Sequence, residues 1–384
     1  MLRVAESGRT FETEDGAPLF WLADTCWSAP WRASWDEWVE YVDYRAAQGF
    51  SVLQVAAIPY QDYRCDMARV PFQTKENGFW DFESLNPDYF NFLKRMVVYA
   101  NQKHITVAMV LMWWGVIPNA RLWTQPMPRP VMTLEQACRY VKLMSDRFHE
   151  DDIVWIVSGD DTYYGEGVLE FNKSVGSFLR EQDGGVHMIT EHPSVASGRF
   201  FHQESWLDFN MIQSSHFDAH QNLCYQLSQE EWNRKPAKPV VNAEICYEGH
   251  KGFDYGHHFL RKDVRQAFWW SVLEGSLAGI TYGAEGIFNW IREEDIEAKV
   301  ERNIWISWNR AMIHPGAEDV ARSRKFLESI SWQRLAPSNS RILNRPFRHL
   351  SCAAADGIAV VYFPPYIPPT EGILELDVSD FAIG

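Results

Sequence analysis

Short apolar runs alternate along most of the chain with longer stretches in which apolar positions recur at helical spacing. This is the pattern of a parallel sheet joined by crossover helices. Eight runs stand out: Leu19–Asp24, Ser51–Ala57, Thr106–Trp113, Ile153–Ser158, Val186–Thr190, Phe209–Ser214, Pro239–Glu244 and Ala278–Tyr282. Most are rich in β-branched residues and bounded by polar residues or glycine, as strands buried on both faces should be. Helix starts are marked between them. Ser34, Thr133 and Ser228 each stand three residues before Glu37, Gln136 and Glu231, the spacing of a capping box. Asn86 followed by Pro87 reads as an N-cap and a first helical position. The helix opening at Ser34 carries Trp38, Tyr41, Val42 and Arg45 at near-helical spacing and stops at Gly49. Two more helices are expected after the eighth run, Ile296–Met312 and Glu318–Ser329.

Eight strands with interposed helices predict an α/β fold of the (β/α)₈ TIM-barrel type. No strand is followed by GxGxxG or a P-loop, which removes the usual nucleotide-binding reasons for an open sheet. Beyond about Ser338 the texture changes to short β-like runs, Arg341–Leu343, Gly357–Phe363 and Ile373–Val378, around the proline-rich stretch 364–369. The expected organisation is a catalytic barrel over residues 1–335 and a small C-terminal β domain over 336–384, cut short after few strands.

The composition fits this picture, with 46% hydrophobic residues and scattered glycine and proline, enough for a large core. A formal charge of −15 disfavours partners bound through phosphates, so neither nucleic acid nor an anionic membrane is expected. Cys26, Cys65, Cys138, Cys224, Cys246 and Cys352 include no CxxC pair and read as free buried thiols. The N-terminus lacks the apolar stretch of a secretory signal, and no run is long enough to span a membrane. A soluble cytoplasmic protein is expected, or a secreted one if a leader has been removed.

In such a barrel, chemistry sits at the C-terminal ends of the strands. The residues there are polar and aromatic: Asp24 and Trp27, Tyr60, Trp113 and Trp114, Asp160 and Asp161, Glu191 and His192, His216, Glu244, Tyr247 and Glu248, and Tyr282. Carboxylates beside flat aromatic faces suit a sugar, which offers hydroxyl donors and an apolar C–H face. Cleaving a glycosidic bond takes one carboxyl group kept protonated and one kept ionised, with no metal or other cofactor. Asp160 and Glu244 end the fourth and seventh strands, on opposite sides of a closed barrel, and can face each other across its mouth. An N-cap or a salt bridge is the competing role for each. Asp161 is the rival to Asp160, but successive residues of an extended segment point opposite ways, so only one aims inward. Asp24 either binds a substrate hydroxyl or locks an arginine. Trp27, Tyr60, Trp113, Trp114, Asp161, His192, His216, Tyr247 and Tyr282 complete the candidate substrate contacts.

Several spaced motifs carry a resemblance. Phe20–Trp27 (FWLADTCW), Gly49-Phe50 with Gln54, Trp80, Leu85-Asn-Pro87, Trp155–Asp160 (WIVSGD), Asn242–Gly249 (NAEICYEG) and Gly279–Gly283 (GITYG) resemble the apiosidase-like glycoside hydrolases, in order over about residues 8–290. The resemblance implies a retaining O-glycosyl hydrolase of bacterial polysaccharide degradation, with a β-sandwich-like segment after the barrel. It also implies that Asp160 is the acid/base and Glu244 the nucleophile, acting on a plant-type polysaccharide or oligosaccharide fragment. One departure matters: the family's fourth-strand motif is Gly-Gly-Asp followed by Arg or a similar residue, whereas this chain has Ser158-Gly159-Asp160-Asp161. A second carboxylate beside the acid is expected either to raise its pKa by like-charge repulsion or to alter the leaving-group subsite. Two rival readings remain. A metal-dependent barrel hydrolase needs an HxH pair after the first strand, where this chain has Leu-Ala-Asp24-Thr; a non-catalytic carbohydrate-binding barrel would have lost the carboxylate pair.

Overall fold

The computed structural model describes residues 1–59, 68–121, 130–214, 216–298, 305–344, 349–364, 374–379 and 381. Eight parallel strands form its centre: β1 (Trp21–Thr25), β2 (Val52–Ala56), β3 (Thr106–Trp113), β4 (Ile153–Asp161), β5 (Ile189–Pro193), β6 (Asn210–Gln213), β7 (Val240–Glu244) and β8 (Gly279–Tyr282). They pair in the order 5-4-3-2-1-8-7-6, so β1 lies between β2 and β8 and the sheet curls into a TIM barrel. The ring closes between β5 and β6 without a continuous ladder. Asp208 N donates to Ile189 O at 2.9 Å and Thr190 Oγ1 to Phe209 O at 2.7 Å. Past β5 the chain then doubles back on β6, Gln213 N donating to Val195 O at 2.8 Å and Ser197 N to Met211 O at 2.9 Å.

A helix follows each strand: α1 (Trp35–Gln48), α2 (Pro87–Gln102), α3 (Leu134–Phe148), α4 (Val168–Asp183), α5 (Gly198–Phe201), α6 (Leu223–Trp232), α7 (Arg261–Leu273) and α8 (Pro315–Glu328). Both halves of the capping box are made at Ser34 with Glu37 and at Thr133 with Gln136, and Asn86 accepts from Asp88 N. Gly49 ends α1 at φ 93°, a conformation glycine adopts without steric cost. Ser228 does not start a helix. It lies inside α6, its hydroxyl donating back to Cys224 O at 2.6 Å, because the helix begins a turn earlier.

Other expectations also shift. β5 starts at Ile189, not Val186, because His187 belongs to the turn that ends α4, its N–H and ring held by the Asp183 carboxylate. Glu191 and His192 are therefore in the strand. The expected helix Ile296–Met312 is not continuous: Glu293–Glu297 and Trp308–Ala311 are separate short helices, with Ser307 extended between them at ψ 158°. Arg341 ends a 3₁₀ turn, Asn339–Arg341, yet the expected run 341–343 still pairs antiparallel with 375–377 through a short bridge, Leu343 N donating to Glu375 O at 2.9 Å and Asp377 N to Arg341 O at 2.8 Å.

Three small sheets had no clear signal in the sequence or only part of one. Leu2–Val4, Phe11–Thr13 and Pro18–Leu19 form an antiparallel sheet across the barrel floor, where the Phe11 ring meets Phe209 at 5.0 Å and Trp21 at 6.0 Å. Phe72–Thr74 and Trp80–Leu85 pair in the β2–α2 connection. Ala336–Pro337, Ser351–Ala355 and Ile358–Tyr362 form the C-terminal sheet, which packs on α7 through stacked Tyr362 and Trp269 rings.

Gln54 reaches across the barrel interior. Its amide donates to Ala243 O of β7 at 3.0 Å and accepts from Thr281 Oγ1 of β8 at 2.9 Å. This ties three strands together just below the mouth. Cys26, Cys224, Cys246 and Cys352 are buried free thiols and Cys138 is half-buried, while Cys65 lies outside the described residues. Among the described residues no helix is long and apolar enough to cross a membrane.

Candidate active site

Asp160 and Glu244 share one cavity of about 500 Å³ at the C-terminal mouth of the barrel. Its lining includes Trp27, Trp113, Trp114, His216 and Tyr247, five of the residues expected there. Asp160 reaches it through an unusual backbone. Its φ is 59°, in the left-handed region that costs most side chains roughly 1–2 kcal/mol and that Asp tolerates better than most. That conformation separates the two adjacent carboxylates. Asp160 enters the cavity, whereas the buried Asp161 turns to accept from Tyr163 N at 2.9 Å while its carbonyl takes Ser194 N and Oγ. Asp161 thus shapes the loop and is not among the cavity residues.

Gly159 has a separate reason to be glycine. A Cβ there would sit 2.4 Å from the Trp113 ring, which packs against the end of β4. Gly159→Ala is expected to displace that indole, costing about 1–3 kcal/mol of stability by overpacking. A drop of about tenfold or more in kcat/KM on any accepted glycoside should accompany it. Thermal unfolding and steady-state kinetics check the two effects.

The two carboxylates have opposite surroundings. Burial and the nearby Glu244 charge push the Asp160 carboxyl well above the usual carboxylate range; a Gln213 hydrogen bond opposes this and Asp161 adds to it. One Asp160 oxygen, Oδ1, is buried without a hydrogen-bond partner. Glu244 is also buried, which alone would raise it, but hydrogen bonds from His192 and His216 and their charge hold it well below the usual range. His216 Nε2 lies 2.7 Å from Glu244 Oε1, and His192 Nε2 lies 3.3 Å from Oε2. Tyr247 bonds both Glu244 and Trp27, the latter at 3.1 Å through its hydroxyl. The surroundings therefore favour the protonated form of Asp160 and the ionised form of Glu244.

The remaining expected contacts lie elsewhere. Tyr60 falls outside the described residues. Asp24 is fully buried between β1 and α1, accepting from Arg45 Nε and Tyr41 OH at 2.6 Å each, so it locks the arginine. Tyr282 is fully buried and donates to Glu248 Oε2 at 2.7 Å, while Glu248 also accepts from Gly316 N at the start of α8. Neither reaches the cavity. His192 is sandwiched between Trp27 and Trp113, 5.2 and 6.3 Å between ring centroids, and acts on Glu244 from behind. Glu191 is part of the scaffold: it accepts from Ser158 N and Oγ and from Tyr163 OH, and burial pushes its pKa up to about 8.

Residues not anticipated also line the cavity. Gln213, at the end of β6, could have been found by the strand-end rule. His250, Phe253 and Phe288 sit in loops whose course the sequence does not fix; burial and the neighbouring His216 push His250 down to about 3, so it stays neutral. A separate hollow of about 790 Å³ lies behind the β7 loop, near Glu248, His258, Trp305 and His314, but it holds no second carboxylate. Among the described residues no cluster of three or more His, Cys, Asp or Glu is arranged to hold a metal ion.

The fold has solved counterparts. A family 5 glycoside hydrolase from Bacteroides vulgatus superposes with a TM-score of 0.77 at 23% identity, covering 94% of this chain and 79% of the other. Another glycoside hydrolase gives 0.78 at 23% identity, over 94% and 82%. A family 5 mannosidase from Rhizomucor miehei gives 0.59 at 14% identity, over 87% and 99%. At these identities the likeness speaks for the barrel alone. No curated protein sequence matches the chain. The family model of the apiosidase-like catalytic domain, however, matches residues 5–334, nearly the whole barrel and its mouth. The chain therefore belongs to the apiosidase-like family and is a glycosidase-type hydrolase.

Proposed function

We propose that the protein is a retaining glycosidase in which Asp160 is the general acid/base and Glu244 the nucleophile. The observation that carries this reading is the opposed pair of environments around the two carboxylates in one aromatic cavity. Protonated Asp160 donates to the glycosidic oxygen as the bond to the anomeric carbon breaks. Glu244, ionised and oriented by His216 and Tyr247, attacks that carbon and forms a glycosyl ester. Asp160, now ionised, takes a proton from water as the water attacks the same carbon and releases Glu244. The substrate class is a neutral glycoside, such as an oligosaccharide fragment of a plant-type polysaccharide, held with its C–H face on the tryptophans.

Proton NMR of the first-formed sugar tests the stereochemistry. The anomer released should have the configuration of the substrate; the opposite anomer would convert the assignment to an inverting pair. The pH profile tests the roles. Asp160 must be protonated to release the leaving group, and its pKa is raised, so kcat/KM should fall as pH rises through that value. Glu244 must be ionised and is held low, so the acidic limb should lie well below neutral pH. Asp160→Asn should abolish the alkaline limb on an aryl glycoside whose leaving group needs no proton. A limb that persists in that variant would place the acid elsewhere.

A further inference from the structure

The cavity has two unlike sides. On one, next to Glu244, Trp27 and Tyr247 present ring faces, tied together by the Trp27 N–H donating to the Tyr247 hydroxyl. The other is built from segments that follow β5, β6 and β7, and four of its members, Val195, Phe217, Leu223 and Phe253, carry no hydrogen-bonding atom in their side chains. Val195 and Leu223 are seated on a small buried cluster of Ala196, Ile212 and Leu227, so their positions are fixed from below. Phe253 stands 62% exposed at the rim and meets Phe217 edge-on at 5.3 Å and His216 at 6.0 Å. The flat ring of His220 extends this surface beside Phe217 at 5.3 Å.

The Val195 end of this side adjoins the acid, while Phe253 packs on His216 beside Glu244. The residue before Val195, Ser194, donates through N and Oγ to the carbonyl of Asp161, next in sequence to Asp160. A general acid protonates the leaving oxygen, so the space beyond it receives the leaving group. Among the described residues lining the cavity there is no Lys or Arg, so no permanently charged cation marks this side for an anionic leaving group.

We propose that the leaving-group side accepts an apolar aglycone, an alkyl or aryl alcohol, in preference to a second sugar ring. The proposal rests on reading Asp160 as the acid. A sugar placed against Val195, Phe217, Leu223 and Phe253 would desolvate the hydroxyls that face those four side chains, leaving partners only at the margins, at Gln213, His220 and His250, whereas a hydrocarbon chain or aromatic ring would gain from leaving water.

A panel of 4-nitrophenyl glycosides of common pentoses and hexoses, in both anomeric forms, first identifies the accepted glycone. The methyl, n-butyl and n-hexyl glycosides of that sugar are then compared with a disaccharide carrying it at the non-reducing end. kcat/KM should rise by up to about fourfold per added methylene over the first few carbons, and the hexyl glycoside should surpass the disaccharide. Phe253→Ala should flatten that slope, and its exposure makes unfolding an improbable cause. A flat alkyl series, or a disaccharide preferred over the hexyl glycoside, would overturn the proposal. Calorimetric titration of Glu244→Gln with the methyl and hexyl glycosides of every sugar in the panel separates the two readings. Tighter binding of the hexyl compound supports the apolar side even if the wild-type protein hydrolyses nothing, and equal binding removes it even if turnover is brisk.

Discussion

Glu244→Gln should lower turnover of an accepted glycoside by about ten-thousandfold or more while the barrel stays folded. Glutamine keeps the size of the side chain and its place beside His216, but its amide cannot form the ester of the proposed mechanism. The loss should appear in kcat with both poor and good leaving groups, because departure and attack on the anomeric carbon are coupled. Asp160→Asn should behave differently, since an activated phenol leaves without a proton and its first step would be spared. Azide sharpens the contrast. With Glu244→Ala it can enter the vacated space and attack the anomeric carbon from the nucleophile's face, giving a glycosyl azide of inverted configuration. Mass and NMR analysis of that product are decisive. Undiminished hydrolysis by Glu244→Gln would remove Glu244 from the reaction.

Arg45→Met should destabilise the protein by about 3–5 kcal/mol, the cost of leaving one charge of a buried pair uncompensated. Arg45 is fully buried and donates to Asp24 Oδ2, Gln48 Oε1 and Met312 O, binding β1, α1 and the chain before α8 at one point. For a chain of this length the melting temperature should fall by about 4–6 °C. The double variant Asp24→Asn/Arg45→Met should recover part of the loss, because no buried charge remains unpaired. Thermal unfolding of the two single variants and the double variant gives the coupling between them. Additive losses would mean that the pair does not act as a unit.

These two pairs explain what the sequence could and could not convey. The rule that chemistry gathers at strand ends found Asp160 and Glu244, along with Trp27, Trp113, Trp114, His216 and Tyr247. It also selected Asp24 and Tyr282, which stand at strand ends but face the helical layer. Strand-end position is written in the apolar pattern; the direction a side chain takes there depends on whether a helix brings a partner. Arg45 is twenty-one residues from Asp24, and Gly316 sixty-eight from Glu248, so neither pairing has a local signature. Asp160 and Asp161 were separable in principle by alternation, but the left-handed turn that parts them is a property of the folded loop. The apolar side of the cavity was illegible for another reason. Val195, Phe217, Leu223 and Phe253 come from three connections, and an isolated apolar residue in a loop reads as nothing in particular.

The closure between β5 and β6 has a mechanical consequence. A ring of hydrogen-bonded strands is stiff because deforming any part strains the whole circuit; a ring with one gap concentrates its compliance there. Here the gap is bridged at the floor by the bonds that Ile189 and Thr190 make with Asp208 and Phe209, and nearer the mouth by the folded-back segment 194–197. Local opening is cheapest where backbone bonds are fewest. Slow breathing of the barrel should therefore be felt first along the side that carries Val195 and Leu223, and least at Asp24 and Arg45 on the opposite side. The stiff part of the molecule holds Asp24 and Arg45, and the yielding part borders the proposed leaving-group side.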